Sequence, residues 1–174
     1  FNKVYIFMIN INLYAVPAPG QRIKGEDQFL GTVRTHMHKA PLTALTANLE
    51  ERLGEEGIIA AIRIVDMQTR NTSIEKYGEF DFGGLKLEKY RVGCSFNDVE
   101  DSVKESDIVG INANFTHSRL IVTDFAKYVK QKNKKAVVVI GGTDATSDPE
   151  YYLRNDADVV VKGEGEVTFR RLIK

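Results

Sequence analysis

The chain has 174 residues, with 24 basic and 24 acidic side chains and 43% apolar content, enough for one domain that buries roughly two-thirds of its unfolded surface. A net charge of zero and no basic cluster remove the field that gathers nucleic acid or an anionic membrane, so neither is an expected partner. The single cysteine, Cys94, excludes a disulfide framework and any cluster or structural zinc built from several local thiolates, and it fits a cytoplasmic setting.

Taken in chain order, the first element is an apolar strand over residues 3–10. The run has no cationic leader and is far too short to span a membrane. Residues 41–53 place Leu42, Leu45, Leu49 and Leu53 on one helical face, with Pro41 in the first turn. A second strand covers 58–66, and a short helix over 97–105 carries Val99 and Val103. A third strand at 107–112 leads into a helix over 118–132 with Ile121, Phe125, Tyr128 and Val129 inward. After a fourth strand at 135–140, Asp148-Pro149-Glu150 combines a capping Asp, a first-turn proline and an early acid, a helix start. A fifth strand at 158–162 precedes a last helix from about Glu166.

Continuous rather than alternating apolarity marks strands covered on both faces. Alternation of such strands with helices predicts a parallel sheet wound with right-handed crossovers. The expected fold is therefore α/β and flavodoxin-like (Rossmann-like): five parallel strands in the order 2-1-3-4-5, helices on both faces. One domain over 1–174 is expected, interrupted by two insertions at about 12–40 and 67–96 that exceed the usual loop length. Both follow strands at the ligand-binding edge, where they suit lids, contacts with a partner domain or family-specific loops. The chain starts at Phe1 and stops within an apolar helical pattern, which reads as a fragment of a longer protein.

Function in this architecture is read at the carboxyl ends of the strands. Asn10-Ile11-Asn12-Leu13-Tyr14, taken as the stretch after the first strand, holds no G-x-G-x-x-G and no phosphate loop, against dehydrogenase, nucleotide hydrolase and flavodoxin activities. A phospho-accepting receiver is disfavoured because Asn10, Asn112 and Asn114 stand where acids are needed, although Lys162 would fit one. After the third strand comes Asn112-Ala113-Asn114-Phe115-Thr116-His117, after the fourth Gly141-Gly142-Thr143, and after the fifth Gly163-Glu164-Gly165. Adjacent glycines permit either a sharp turn or the close approach of a bulky group to the sheet edge. His36 and His38 form an H-x-H pair in the first insertion, a metal ligand pair on a strand or else a solvated loop. Cys94 has no evident activator and reads as a packed side chain. Asp66, Asp144, His117 and Lys162 are the polar groups available to an enzyme acting alone, and no nucleophile–base pair is evident among them.

Together these stretches resemble the cobalamin-binding domain at the N-terminus of many radical S-adenosylmethionine enzymes. The matching pieces are Ala40-Pro41-Leu42 through Gly57 with Ile64-Val65-Asp66, Tyr90-Arg91-Val92-Gly93, Asp107-Ile108-Val109-Gly110-Ile111, Val138-Val139-Ile140-Gly141-Gly142 with Asp148-Pro149-Glu150, and Asp158 through Glu166. The resemblance implies that cobalamin lies on the sheet edge, contacted by Asn112, Asn114, Phe115, Thr116, Gly141, Gly142, Thr143, Gly163, Glu164 and Gly165. Asn112 and Asn114 stand at the family's Ser and Leu positions, and Asn114 replaces an apolar contact with a polar one. The Asp-x-His-x-x-Gly motif that supplies a cobalt-ligating histidine in the classical domains is missing, as it commonly is in the radical branch.

The resemblance further implies a parent enzyme of methyltransferase or natural-product and peptide modifying type. A separate catalytic domain in the parent chain would hold the four-iron cluster and S-adenosylmethionine and act on a peptide or small molecule. With one cysteine this chain cannot hold that cluster, so no catalytic and no metal-ligating residue is assigned to it. The alternative is a cofactor-free module of the same fold that docks a peptide substrate or the catalytic domain.

Overall fold

The structure, a computed structural model, describes residues 8–31, 40–69 and 73–173. Five parallel strands form the main sheet: β1 Ile9–Ala15, β3 Ala60–Asp66, β6 Ile108–Asn112, β7 Val137–Gly141 and β8 Val159–Val161, in the order β3-β1-β6-β7-β8. This is the expected 2-1-3-4-5 winding. The strands β2 Ala18–Ile23, β4 Ser73–Phe82 and β5 Leu85–Gly93 make a separate antiparallel sheet in the order β2-β5-β4.

Helices cover both faces of the main sheet. On one, α1 Ala40–Glu55 and α6 Gly165–Ile173 bury Leu42, Leu49, Leu53, Phe169 and Ile173 against Ile11, Leu13, Ile108, Val139 and Val161. On the other, α2 Glu100–Lys104, α3 Arg119–Lys132, the short α4 Thr143–Ser147 and α5 Pro149–Leu153 pack Val103, Ile121, Phe125, Val129, Ala145 and Tyr152 against Tyr14, Val109, Ile111, Val138 and Ile140. Successive residues of a strand point to opposite faces, so a strand covered twice must be apolar at every position; the run from Val137 to Ile140 is the clearest case. Asp148 caps α5, accepting a hydrogen bond from the Tyr151 amide at 3.3 Å. Among the described residues, no helix is long and apolar enough to cross a membrane.

Two expectations change. The first strand runs on past Asn10 rather than ending there, because Asn12 is buried within it at 3% exposure. Its Nδ2 donates to Ser106 Oγ at 2.7 Å and to the Ser102 carbonyl at 2.9 Å, which replaces the water a buried amide would otherwise lose. Asn10 to Tyr14 are therefore strand, and the carboxyl end of β1 is Ala15. The second change concerns the insertions. Most of the segment 67–96 is a hairpin turned by Gly83 and Gly84, both at positive φ (57° and 81°), with Phe82 paired to Leu85, the two-residue turn that matches strand twist. The first insertion contributes β2, which pairs with β5 from Ala18↔Val92 to Ile23↔Leu87. Arg22 lies 4.1 Å over the Phe29 ring and 4.8 Å over Tyr90, a cation–π contact that ties the insertion to the hairpin. His36 and His38, and most of the expected strand over 3–10, lie outside the described residues.

Candidate functional site

A cavity of about 580 Å³ opens at the carboxyl edge of the main sheet, on the face covered by α1 and α6. Its floor is the ends of β6, β7 and β8, where Gly110, Asn112, Gly141 and Val161 meet it. Leu13 and Val139 extend the floor, while Pro41, Leu42 and Leu45 of α1 and Phe169 of α6 form apolar walls. The rim is polar, with Asn114, Thr143, Thr146, Ser147, Glu164 and Glu166.

The glycines keep this space open for different reasons. A Cβ on Gly110 would stand 2.6 Å from Leu13 Cδ2 and 3.5 Å from the Phe169 ring, so even a methyl would displace the cavity wall. A Cβ on Gly141 would meet only Val161, at 3.6 Å; the protein has room for it, and the space it would take belongs to the cavity. Gly142 is fixed by its backbone, with φ 121° and a Cβ position 2.6 Å from the Ala113 carbonyl oxygen.

Of the residues expected to contact a cofactor, Asn112, Asn114, Gly141, Gly142, Thr143, Gly163, Glu164 and Gly165 all line the cavity. Phe115 and Thr116 do not. Phe115 is 42% exposed and stacks on His117, ring centroids 5.3 Å apart. Thr116 turns toward Asp144, donating from Oγ1 to Oδ1 at 2.6 Å. Asn114, which the resemblance sets at an apolar position, has its Oδ1 accepting the Thr143 amide hydrogen at 3.2 Å, joining the loops after β6 and β7. Thr146 links the last loop, accepting from the Gly163 amide and donating to the Gly142 carbonyl, both at 2.9 Å.

Sequence reasoning missed the second wall. Leu42 and Leu45 read as ordinary core positions of an amphipathic helix and Pro41 as its first-turn residue, nothing singled out Phe169, and nothing local distinguishes a core leucine from one that faces a cavity. Gly110, alone among valines and isoleucines in β6, was the available signal, since an isolated strand glycine marks a close approach.

Asp66 and Asp144 are engaged by separate partners. The Asp66 carboxylate accepts from the Gln68 amide at 2.9 Å, and Asp144 is held by Arg119 at 2.6 Å. The Asp144 carboxyl lies at about 2; burial would raise it, and its bonds from Arg119, Thr116 and Tyr152 outweigh that effect. Among the described residues, no three His, Cys, Asp or Glu side chains could share a metal ion. Cys94 is buried.

The residues present fit a large, mostly uncharged ligand. A Cβ on Gly141 would take space from the floor, the walls are aliphatic and aromatic, and the neutral amide of Asn112 and the hydroxyl of Thr143 are available for hydrogen bonds. Among the described residues, no lysine or arginine lines the cavity. A corrinoid, with its amide-bearing ring and planar base, has that combination of apolar bulk and neutral polar groups.

An uncharacterized methyltransferase of Pyrococcus horikoshii is 39% identical over 83 residues, which cover 45% of this chain and 18% of the relative, so the chain spans under a fifth of that protein's length. A crystal structure of the N-terminal domain of a hypothetical protein from Thermotoga maritima aligns over 45% of this chain and 63% of its own, at 25% identity and a TM-score of 0.39. A family model for the B12 binding domain matches residues 29–173. With that match covering most of the chain, and a glycine-floored cavity at the ligand edge of the expected sheet, the protein belongs to the B12-binding domain family.

Proposed function

We propose that the chain holds cobalamin for a radical S-adenosylmethionine enzyme of the methyltransferase or natural-product and peptide modifying type. The observation that carries this reading is the cavity, where eight of the ten residues expected from the family resemblance converge although they come from the ends of three separate strands and the segments that follow them. The methyltransferase name of the Pyrococcus relative supports the reaction class, and the ordered strand-end motifs support the radical branch. When bound, cobalamin supplies a cobalt centre able to carry a methyl group.

The chain's own residues would bind and orient. Gly141 admits an apolar group between the sheet edge and the two helices, Gly110 gives room to Leu13 and Phe169, which with Leu42 and Leu45 exclude water from it, and Asn112 and Thr143 hydrogen-bond its polar substituents. The iron–sulfur cluster and S-adenosylmethionine belong to another domain of the parent protein, because the only cysteine here, Cys94, is buried.

Incubation with hydroxocobalamin followed by desalting tests the cofactor reading: a corrinoid spectrum retained by the protein is expected. Loss of the corrinoid even after high ligand excess would overturn it in favour of a cofactor-free module that docks a peptide or the catalytic domain. The parent gene tests the second half, since a Cys-x3-Cys-x2-Cys motif in the same protein is required.

A further inference from the structure

Asp144 is the most heavily engaged polar side chain near the cavity, yet it does not line it. Its carboxylate is 4% exposed. Oδ1 accepts from Thr116 Oγ1 at 2.6 Å and Arg119 Nη2 at 3.1 Å, and Oδ2 from Arg119 Nε at 2.6 Å and the Tyr152 hydroxyl at 2.5 Å. Arg119 also reaches Asp148 at 3.0 Å and lies over the Tyr151 ring at 4.9 Å. One carboxylate thus joins the loop after β6, the start of α3, the turn after β7 and α5.

The backbone repeats the connection. The Asp144 and Ala145 amides both donate to the Ala113 carbonyl, at 3.0 and 3.3 Å, and the Thr143 amide donates to Asn114 Oδ1. The joined loops are the ones that present Asn112, Asn114, Gly142 and Thr143 to the cavity. A buried ion pair contributes little net stability compared with well-packed apolar side chains, and its best-attested use is to impose one arrangement on its surroundings.

We propose that Thr116 and Asp144 are positioning residues for the cofactor site: together they hold the two loops in the register that forms the cavity rim, without touching the ligand. The inference rests on the cofactor reading of the cavity.

The test compares Kd for hydroxocobalamin with melting temperature in Thr116→Val, Thr116→Ser, Asp144→Asn and the double variant Thr116→Val/Asp144→Asn. The control is Ser106→Ala, which removes a buried hydrogen-bonding hydroxyl at the opposite, amino edge of the sheet. Loss of one charge-assisted hydrogen bond should raise Kd about tenfold in Thr116→Val, while Thr116→Ser, which keeps the hydroxyl, stays within about twofold of wild type. Ser106→Ala should lower the melting temperature comparably and leave Kd unchanged. The double variant should bind no worse than Asp144→Asn alone, as for residues acting through one another. Additive losses would mean that Thr116 contacts the ligand directly, and wild-type affinity in Thr116→Val, or an equal loss in Ser106→Ala, would mean that the network serves only the fold; each overturns the proposal. Should Asp144→Asn not fold, the Thr116 pair and the control still decide whether the network serves the site or only the fold. A wild-type protein that retains no corrinoid is a different result, which overturns the cofactor reading itself.

Discussion

Replacing Gly141 separates folding from cofactor binding, because the two should move in opposite directions. Gly141 sits in β7, paired with Asn112 of β6 and Val161 of β8. A Cβ there meets only Val161 Cβ at 3.6 Å and its carbonyl oxygen at 3.9 Å, ordinary contacts, and the backbone needs no positive φ. Glycine within a strand is less stable than alanine by about 0.5–1 kcal/mol. At about 2–4 °C per kcal/mol for a chain of this size, Gly141→Ala should melt at or a few degrees above wild type. The same methyl enters the cavity floor, where overpacking costs about 1–3 kcal/mol, so affinity for hydroxocobalamin should fall about tenfold or more. Gly141→Leu places a whole side chain in the cavity and should retain no corrinoid after desalting, with a folded circular-dichroism spectrum. Wild-type binding by Gly141→Leu would refute the placement of the ligand. Marked destabilisation of Gly141→Ala would refute the packing analysis.

The neighbouring glycine behaves differently: Gly142→Ala forces a side chain into a backbone region that is nearly exclusive to glycine and into the Ala113 carbonyl, and should lower stability by about 1–3 kcal/mol, read as a lower melting temperature. Asp144, held at about 2 against an ordinary 3.8, contributes stability that is complete above about pH 4 and is lost as pH falls toward 2, on the order of 2 kcal/mol. The melting-temperature gap between wild type and Asp144→Asn should therefore shrink over that window, and a gap constant with pH would contradict the assignment. Asn12→Ala removes the buried donor to Ser106 and the Ser102 carbonyl and should cost about 1–3 kcal/mol in denaturant unfolding, with corrinoid affinity unchanged because Asn12 faces away from the cavity.

The legible parts of the fold were those in which one local signal suffices. Val137 to Ile140 needs no context to be read as a doubly covered strand, and Asp148-Pro149 marks a helix start by capping and fixed φ alone. Asn12 misled because an asparagine in a strand looks like a boundary until Ser102 and Ser106, some ninety residues on, supply its partners. The second sheet had a local mark in Gly83-Gly84, but β4 is largely exposed, so its period was weak, and β2 pairs with a strand more than sixty residues away.

The site divides in the same way. Strand-end glycines and the Asn112 loop were visible in the sequence because they sit where the chain must leave the sheet, and eight of those positions line the cavity. Which side of the edge opens, and what walls it, was settled only when α1 and α6 met over the sheet, with a Cβ on Gly165 standing 3.7 Å from Leu45. Thr116 shows the limit most directly: it lies in the expected loop, but its hydroxyl is claimed by Asp144 from another loop. Sequence determined the winding of the sheet and the glycine floor, because backbone freedom and apolar periodicity are local properties. Tertiary structure decided the cavity walls and the role of each polar side chain, because those depend on partners brought together from distant parts of the chain.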